Sequence, residues 1–447
     1  MRARIKTFTC ITAIAAFVAL TLSVRSAAQA TQKTKQPPKY YVFNLGQPLG
    51  GIPEPVAINN RGWISGTANL ATNTSEHAVL WVGTSLDLGT LGGPNSAVEF
   101  PNHSTKGEIV GIAETADMDP LGETWSCAPF FFGADGYVCR GFAWQNGVMT
   151  ELPTLGGING YATSVNNKGQ ITGWAETTYH DPTCNSTGSY HQVLQFEAVI
   201  WGPNLNEMTQ LPPLSGDPDS TANAINDKGQ VVGISGLCSN AYGGASALHS
   251  VLWENGQPIY LGNIGGQAWN TPIAINNNGV VVGLANTSGD MNAPLNPAAW
   301  IWTKGSGMKE IYPIGADTND VAFDIDDNNQ VIGQSFNVNT GLFRAFLWQN
   351  NVINDLNALV VQPTSLYLTL AQGINDSGEI SGSAIDTSTG ETVGFLAVPV
   401  SNGSGTPPSK APEWKDLSKL VSPESVRQLL ERQPGLAGVV ARAMATK

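Results

Sequence analysis

The side chains best suited to chemistry are concentrated in three segments, residues 112–139, 174–196 and 234–248. Carboxylates stand beside aromatic residues there, a combination that can stack on a sugar ring and hydrogen-bond its hydroxyls. The candidate ligand-binding residues are Asp117, Asp119, Trp125, Phe131, Tyr137, Tyr179, His180, Asp181, Tyr190, His191 and Tyr242, with Trp269 expected on the same surface. The competing interpretation is that the rings pack the loops themselves, which is the commoner role of aromatic residues.

The sequence contains no standard catalytic signature. Gly-x-Ser-x-Gly, His-Glu-x-x-His and a phosphate-binding glycine-rich loop with lysine are all absent. We therefore assign no catalytic residue and favour a binding scaffold over an enzyme. A polysaccharide hydrolase or lyase that uses carboxylates of the three segments is the alternative, and a purely structural surface protein is the third class.

Two motifs contain residue types that bind metal ions. His180, Cys184 and His191 are ligand types that zinc uses, but an exported chain favours a disulfide at Cys184. Residues 324–329, DIDDNN, alternate carboxylates as a calcium loop does, but they lack the distal bidentate glutamate. A solvated turn is the favoured interpretation, so no cofactor is predicted and calcium is left as an open alternative.

The N-terminus has the features of an export signal. Arg2, Arg4 and Lys6 precede a long apolar run, and AAQA at 27–30 offers small residues for cleavage. We expect residues 1–30 to be a cleavable signal peptide, with an uncleaved membrane anchor as the alternative. The predicted location is secreted, periplasmic or on the cell surface.

Five cysteines occur, and Cys10 lies within the predicted signal peptide. The other four are an even number in an exported chain, which predicts two disulfides. Cys127–Cys139 is the most local pairing and is preferred, which leaves Cys184–Cys238.

The charge balance restricts the partners. Residues 40–400 carry eight cations and 31 acids, a formal charge of −23. Such a surface repels phosphate backbones and anionic lipid, so nucleic acid and membrane binding are not expected. An extracellular glycan or a surface protein is the expected partner, and the oligomeric state is left open.

A short motif, typified by AINDKGQVVGIS at 224–235, recurs seven times. Its closing glycines are Gly66, Gly111, Gly173, Gly233, Gly283, Gly333 and Gly382. The pattern predicts a β-hairpin whose turn ends in a left-handed residue such as Gly229, and Asn329 replaces that glycine in one copy.

Two further motifs accompany each hairpin. One is an apolar strand that usually ends in tryptophan, and the other is rich in leucine and glycine, as in ELPTLGG at 151–157. The recurrent tryptophans are Trp81, Trp144, Trp201, Trp253, Trp302 and Trp348, and we expect them to pack between repeats.

Each repeat thus predicts four strands, which is the size of a propeller blade. Residues 40–46 resemble an isolated fourth strand, and the last unit, 371–400, lacks one. Joining them closes an all-β, seven-bladed β-propeller over residues 40–400. A β-solenoid is the rival fold, but it would not explain this permutation. The three chemistry-bearing segments are the long connections between second and third strands of units two to four, so they should cluster on one face.

VNNKGQITG at 165–173, RAFLW at 344–348 and LGTLGG at 88–93 together resemble the extracellular HAF-repeat family. The likeness covers residues 40–400, although no copy contains the His-Ala-Phe tripeptide itself. The resemblance implies a secreted repeat protein and supplies no catalytic residue. Outside the repeats we expect an N-terminal linker at 31–39, a flexible linker at 401–413 and a helical tail at 414–447.

Overall fold

The structure, a computed structural model, describes residues 36–72, 74–127, 130–131, 136–184, 191–238, 247–266, 270–287 and 297–400. The predicted signal peptide and the predicted helical tail lie outside these residues. The chain divides into two compact units, Met1–Pro37 and Pro38–Lys447. Of the first unit only Gln36 and Pro37 are described, without regular secondary structure. Within the described ranges, no helix has the length and apolar character needed to cross a membrane.

The second unit is built from strands. Those in the described residues are β1 (Tyr40–Gly46), β2 (Gly50–Ile58), β3 (Ile64–Leu70), β4 (Glu76–Val82), β5 (Thr84–Asp87), β6 (Gly92–Ala97), β7 (Ile109–Met118), β8 (Tyr137–Gln145), β9 (Val148–Glu151), β10 (Gly156–Val165), β11 (Ile171–His180), β12 (Leu194–Trp201), β13 (Met208–Gln210), β14 (Asp219–Ile225), β15 (Val231–Gly236), β16 (His249–Glu254), β17 (Gln257–Tyr260), β18 (Thr271–Ile275), β19 (Val281–Asn286), β20 (Pro297–Thr303), β21 (Gly307–Glu310), β22 (Asn319–Ile325), β23 (Val331–Asn337), β24 (Leu342–Gln349), β25 (Val352–Asp355), β26 (Leu366–Ile374), β27 (Ile380–Asp386) and β28 (Glu391–Pro399). A short 3-10 helix, Leu356–Leu359, follows β25.

These strands form seven four-stranded antiparallel sheets, which are the blades of a β-propeller. Blades 1 to 6 each take four consecutive strands, β2–β5 through β22–β25. Blade 7 takes β26, β27 and β28 and is completed by β1, with Tyr40 opposite Pro399 and Phe43 opposite Leu396. The predicted seven-bladed fold and its closure by residues 40–46 are confirmed.

The recurrent turns join the first and second strands of each blade and bind neighbouring blades together. Gly229 has φ 78° and Asn329 has φ 59°, as the turn prediction requires. The Asn226 Oδ1 atom accepts hydrogen bonds from the backbone N–H groups of Lys228 and Gln230, each at 3.0 Å. Its Nδ2 atom donates to the Asn276 carbonyl of the next blade at 2.9 Å. The motif is therefore both a turn and an inter-blade clamp.

The tryptophans pack between blades, as predicted. Trp201 and Trp253 are each 1% exposed. Their indole N–H groups donate to the carbonyls of Pro153 and Pro212, in the connection that leaves the preceding blade. This arrangement places the rings at blade interfaces rather than on the surface.

The placement of the fourth strands corrects the sequence analysis. We expected ELPTLGG and its equivalents to be strands, but β9 ends at Glu151, residues 152–155 connect to the next blade, and Gly156 begins β10. The leucine acts as an anchor instead, because Leu152 is 1% exposed and its N–H donates to the Gly141 carbonyl at 2.8 Å. The strand itself is a short, exposed edge segment, which leaves no apolar pattern to detect.

Candidate functional site

Three long connections lie on the face opposite the recurrent turns. They join β7 to β8, β11 to β12 and β15 to β16, and we call them the loop platform (residues 119–136, 181–193 and 237–248). The structure describes 119–127, 130–131, 136, 181–184, 191–193, 237–238 and 247–248 of it. Because each connection follows the second strand of its blade, blades 2, 3 and 4 present them side by side.

Both predicted disulfides are present. Cys127 and Cys139 join the first connection to β8, with Cα atoms 5.5 Å apart. Cys184 and Cys238 join the second and third connections, with Cα atoms 4.7 Å apart. The zinc alternative is excluded for Cys184, since its sulfur is not a free thiolate. The described residues contain one group of potential metal ligands, Glu114 with Cys127 and Cys139. Its two cysteines form a disulfide, so they have no thiolate to bind a metal ion.

Hydrogen bonds join the first connection to the second. The His191 N–H donates to Thr124 Oγ1 and the Thr124 N–H donates to the His191 carbonyl, both at 2.9 Å. The His191 ring donates through Nδ1 to the Gly122 carbonyl at 2.9 Å. The Glu123 Oε1 atom accepts from the N–H groups of Val193 and Leu194, at 2.9 and 2.7 Å. Together with Cys184–Cys238, these contacts connect all three segments.

An aromatic cluster lies beneath the platform and contains two of the predicted ligand contacts. Trp125 is 3% exposed and stacks on Phe196 with ring centroids 4.5 Å apart, and Trp174 lies 5.1 Å away. Phe131 is 7% exposed. The expectation that Trp125 and Phe131 face a ligand is therefore corrected, because these rings pack the base of the loops, where burial of a large ring stabilises most.

A group of buried carboxylates lies next to this cluster. The Asn159 Nδ2 atom is 2.8 Å from Asp119 Oδ2, 3.2 Å from Glu176 Oε1 and 3.5 Å from Glu123 Oε2. Burial and the neighbouring Glu176 raise the pKa of Glu123 to about 8. Burial also raises the pKa of Glu176, although Ser126 and Gln192 donate hydrogen bonds to it. These acids hold the loops to the blades and are out of reach of a ligand on the surface.

The remaining predicted residues divide into exposed and buried sets. Asp117, Tyr179 and His180 are exposed, with Tyr179 57% exposed, whereas Tyr137 and His191 are half-buried. Asp119 and Asp181 are buried, at 9% and 6% exposure. Tyr190, Tyr242 and Trp269 lie outside the described residues.

Two exposed apolar side chains of this face were missed by the sequence analysis. Met118, 59% exposed, ends β7, and Leu237, 40% exposed, begins the third connection. An apolar residue at the end of a strand that leads into a polar loop was the available signal. Their exposure adds apolar surface beside Asp117 and the other exposed residues.

The opposite face has a depression that the sequence analysis did not predict. A cavity of about 50 Å³ at the centre of the recurrent turns is lined by Asn60, His103, Asn167, Asp227, Asn277, Asp327 and Asp376, among others. In six of the seven repeats the second Asn or Asp of the turn motif was the available signal, whereas the second repeat contributes His103. Several of these side chains bond to the neighbouring one: Asn167 Nδ2 donates to Asp227 Oδ2 at 2.9 Å, and Asn277 Nδ2 donates to Asp327 Oδ2 at 3.0 Å. The carboxylates of DIDDNN, the segment considered as a calcium loop, accept hydrogen bonds from protein donors. For example, Asp326 Oδ1 accepts from the Gln330 N–H at 2.7 Å.

The known proteins that align with this chain resemble it only distantly. No protein family and no curated protein matches the sequence. A virginiamycin B lyase from Staphylococcus aureus aligns with a TM-score of 0.44 and 11% identity, over 80% of this chain and 99% of that chain. An oligogalacturonate lyase in complex with manganese aligns with a TM-score of 0.44 and 11% identity, over 83% and 99% of the two chains. We carry no residue or activity over from either protein.

Proposed function

We propose that the protein is an exported binding scaffold and that the loop platform binds an extracellular glycan. The observation that carries this proposal is the connection of three long loops into one surface, through Glu123 and through Cys184–Cys238. Loops fixed before the ligand arrives lose less conformational freedom on binding, which favours affinity. A protein of the cell surface is the second possible ligand of the same platform.

The two disulfides support an extracellular or periplasmic location. Disulfides persist in oxidising compartments and are rare in the cytosol of most organisms. One of them, Cys184–Cys238, closes 54 residues of chain between two blades. An export route through the predicted signal peptide fits this chemistry.

The exposed residues at the strand ends next to the platform favour a neutral or cationic glycan. Tyr179 presents an aromatic face, and the exposed polar groups of Asp117 and His180 are suited to hydroxyl groups. The formal charge of −23 over residues 40–400 disfavours sulfated or phosphorylated polymers.

The enzyme alternative has weaker support. Hydrolysis of a glycosidic bond needs two carboxyl groups that contact the sugar. Glu123, Glu176 and Asp181 are instead 1%, 0% and 6% exposed, and Glu123 and Glu176 are engaged in holding loops. A raised carboxyl pKa here is explained by burial rather than by a catalytic task.

The test is a glycan array on the mature oxidised protein, followed by calorimetry with the strongest ligand. Tyr179→Ala should weaken binding by about 1–3 kcal/mol, roughly 5- to 150-fold, the scale for one aromatic contact. Tyr312→Ala is the matched control, since Tyr312 is 70% exposed and follows the fourth strand of blade 5. Unchanged affinity of Tyr179→Ala, or no glycan bound at all, would refute the proposal, and release of new reducing ends would favour the enzyme.

A further inference from the structure

The same loop-to-blade junction occurs twice beneath the platform. ETADMDP at 114–120 and ETTYHDP at 176–182 place Asp119 and Asp181 at matching positions. At the first junction, Asp119 Oδ2 accepts from Asn159 Nδ2 of the next blade at 2.8 Å. The Asn159 Oδ1 atom in turn accepts from the Cys139 N–H at 2.9 Å, which fixes the orientation of the amide.

The second junction has an acid where the first has an amide. Asp219 occupies the place of Asn159, and its Oδ1 atom accepts from the Phe196 N–H at 3.1 Å. Asp181 Oδ1 accepts from the Thr183 N–H at 2.7 Å. Asp219 and Asp181 are 0% and 6% exposed, and among the described residues no donor reaches either Oδ2 atom. The two side chains lie within hydrogen-bonding reach of each other.

Two ionised carboxylates cannot occupy this arrangement. Like charges in contact in a buried site repel strongly, and a proton on one of them supplies the missing donor. The other charged group that acts on Asp219 is Glu197, which is also an acid. Asp217, two residues before it, is paired with His249 at 2.7 Å. No cation in the described surroundings therefore compensates the pair.

A shared proton explains the geometry better than a metal ion. Calcium needs six to eight oxygen ligands, and the two Oδ1 atoms here are already bonded to backbone N–H groups. We propose that Asp181 and Asp219 share one proton, and that this acid pair is a pH-sensitive latch that holds the second connection of the platform to blade 4. Cys184 lies three residues after Asp181, and its disulfide with Cys238 ties the third connection to the same point.

The direction of the pH dependence follows from linkage. Burial, and after it the hydrogen bond with Asp181, raises the pKa of Asp219 from 3.8 to about 9. The folded protein therefore keeps a proton that the unfolded chain loses above pH 4, so this site contributes less stability as pH rises from about 4 to 9. Above pH 9 Asp219 loses this proton, and the latch should open.

The test is thermal unfolding of the oxidised mature chain between pH 5 and 9, in EDTA. Asp219→Asn restores the amide of the first junction, so it should melt close to wild type at pH 5 and about 2–4 °C higher at pH 8. Asp181→Asn should behave in the same way, because either amide can donate. Asp117→Asn is the control: it removes one carboxylate at an exposed position, so its effect on the melting temperature should not change with pH in this way.

Two outcomes would overturn the proposal. A difference between wild type and both Asn variants that does not change with pH would show that the pair holds no titrating proton. Calcium chloride that raises the melting temperature of wild type but not of Asp219→Asn would identify a cation site instead. Both readouts are independent of glycan binding, so failure of the binding proposal leaves this test intact.

Discussion

The clamp formed by the recurrent asparagine offers the sharpest test of how the ring is held together. Asn226 is 4% exposed, and its side chain makes four hydrogen bonds. It accepts from the N–H groups of Lys228 and Gln230, and it donates to the Asn276 carbonyl at 2.9 Å and to Gln230 Oε1 at 2.8 Å. A buried hydrogen bond contributes about 1 kcal/mol net, and its loss leaves backbone groups without partners. Asn226→Ala should therefore lower the free energy of unfolding by about 3–4 kcal/mol.

The assay is urea denaturation of the oxidised mature protein, with two companion variants. Asn226→Asp keeps the Oδ1 acceptor of the turn but loses the donor to the next blade, so it should cost about half as much as alanine. Blade 6 has this acid naturally, and burial raises the pKa of Asp326 to about 6. Lys228→Ala is the control, because Lys228 is exposed in the same turn. A cost below about 1 kcal/mol for Asn226→Ala, or equal costs for alanine and aspartate, would refute the inter-blade clamp.

Two further predictions concern ring closure and the cavity lined by the recurrent turns. Deletion of residues 36–46 removes β1 and exposes the edge of β28, so the truncated chain should aggregate in light-scattering measurements; a stable monomer would contradict closure by this strand. His103 Nε2 lies 3.2 Å from Asp324 Oδ1; burial lowers the pKa of this His, but Asp324, Asp376 and Asp327 raise it overall. His103→Ala should therefore lower the melting temperature more at pH 6 than at pH 9, because the charged pair is lost as pH rises, and a pH-independent effect would argue against it.

The fold was predictable because its signals are local and repeated. The turn of Asp227, Lys228 and Gly229 needs only neighbouring residues to form, and seven copies make the pattern clear. Closure by β1 was predictable because the repeats begin with an unpaired fourth strand and end with a blade that has only three strands.

The candidate site was less predictable because its contacts join residues distant in the chain. Trp125 packs on Phe196 and Trp174, which belong to another blade, so its burial depends on how the blades are arranged. The acid pair of Asp219 and Asp181 was likewise not predictable, because the two residues come from neighbouring blades and meet only in the folded protein. Length and composition located the three long connections but could not tell which of their side chains face outward.

The two faces of the ring have different roles, and their sequences reflect this. The turn face is the more uniform one, because the same asparagine clamp occurs in five of the seven blades, with Ser104 in blade 2 and Asp326 in blade 6 at that position. The platform face breaks the sevenfold equivalence, because only blades 2, 3 and 4 carry long, disulfide-linked connections. Its buried acids hold those loops, so the proposed glycan binding depends on the exposed residues beside them. Substitutions at the buried acids should therefore change stability and pH dependence, whereas substitutions at Tyr179 or Asp117 should change ligand affinity at constant stability.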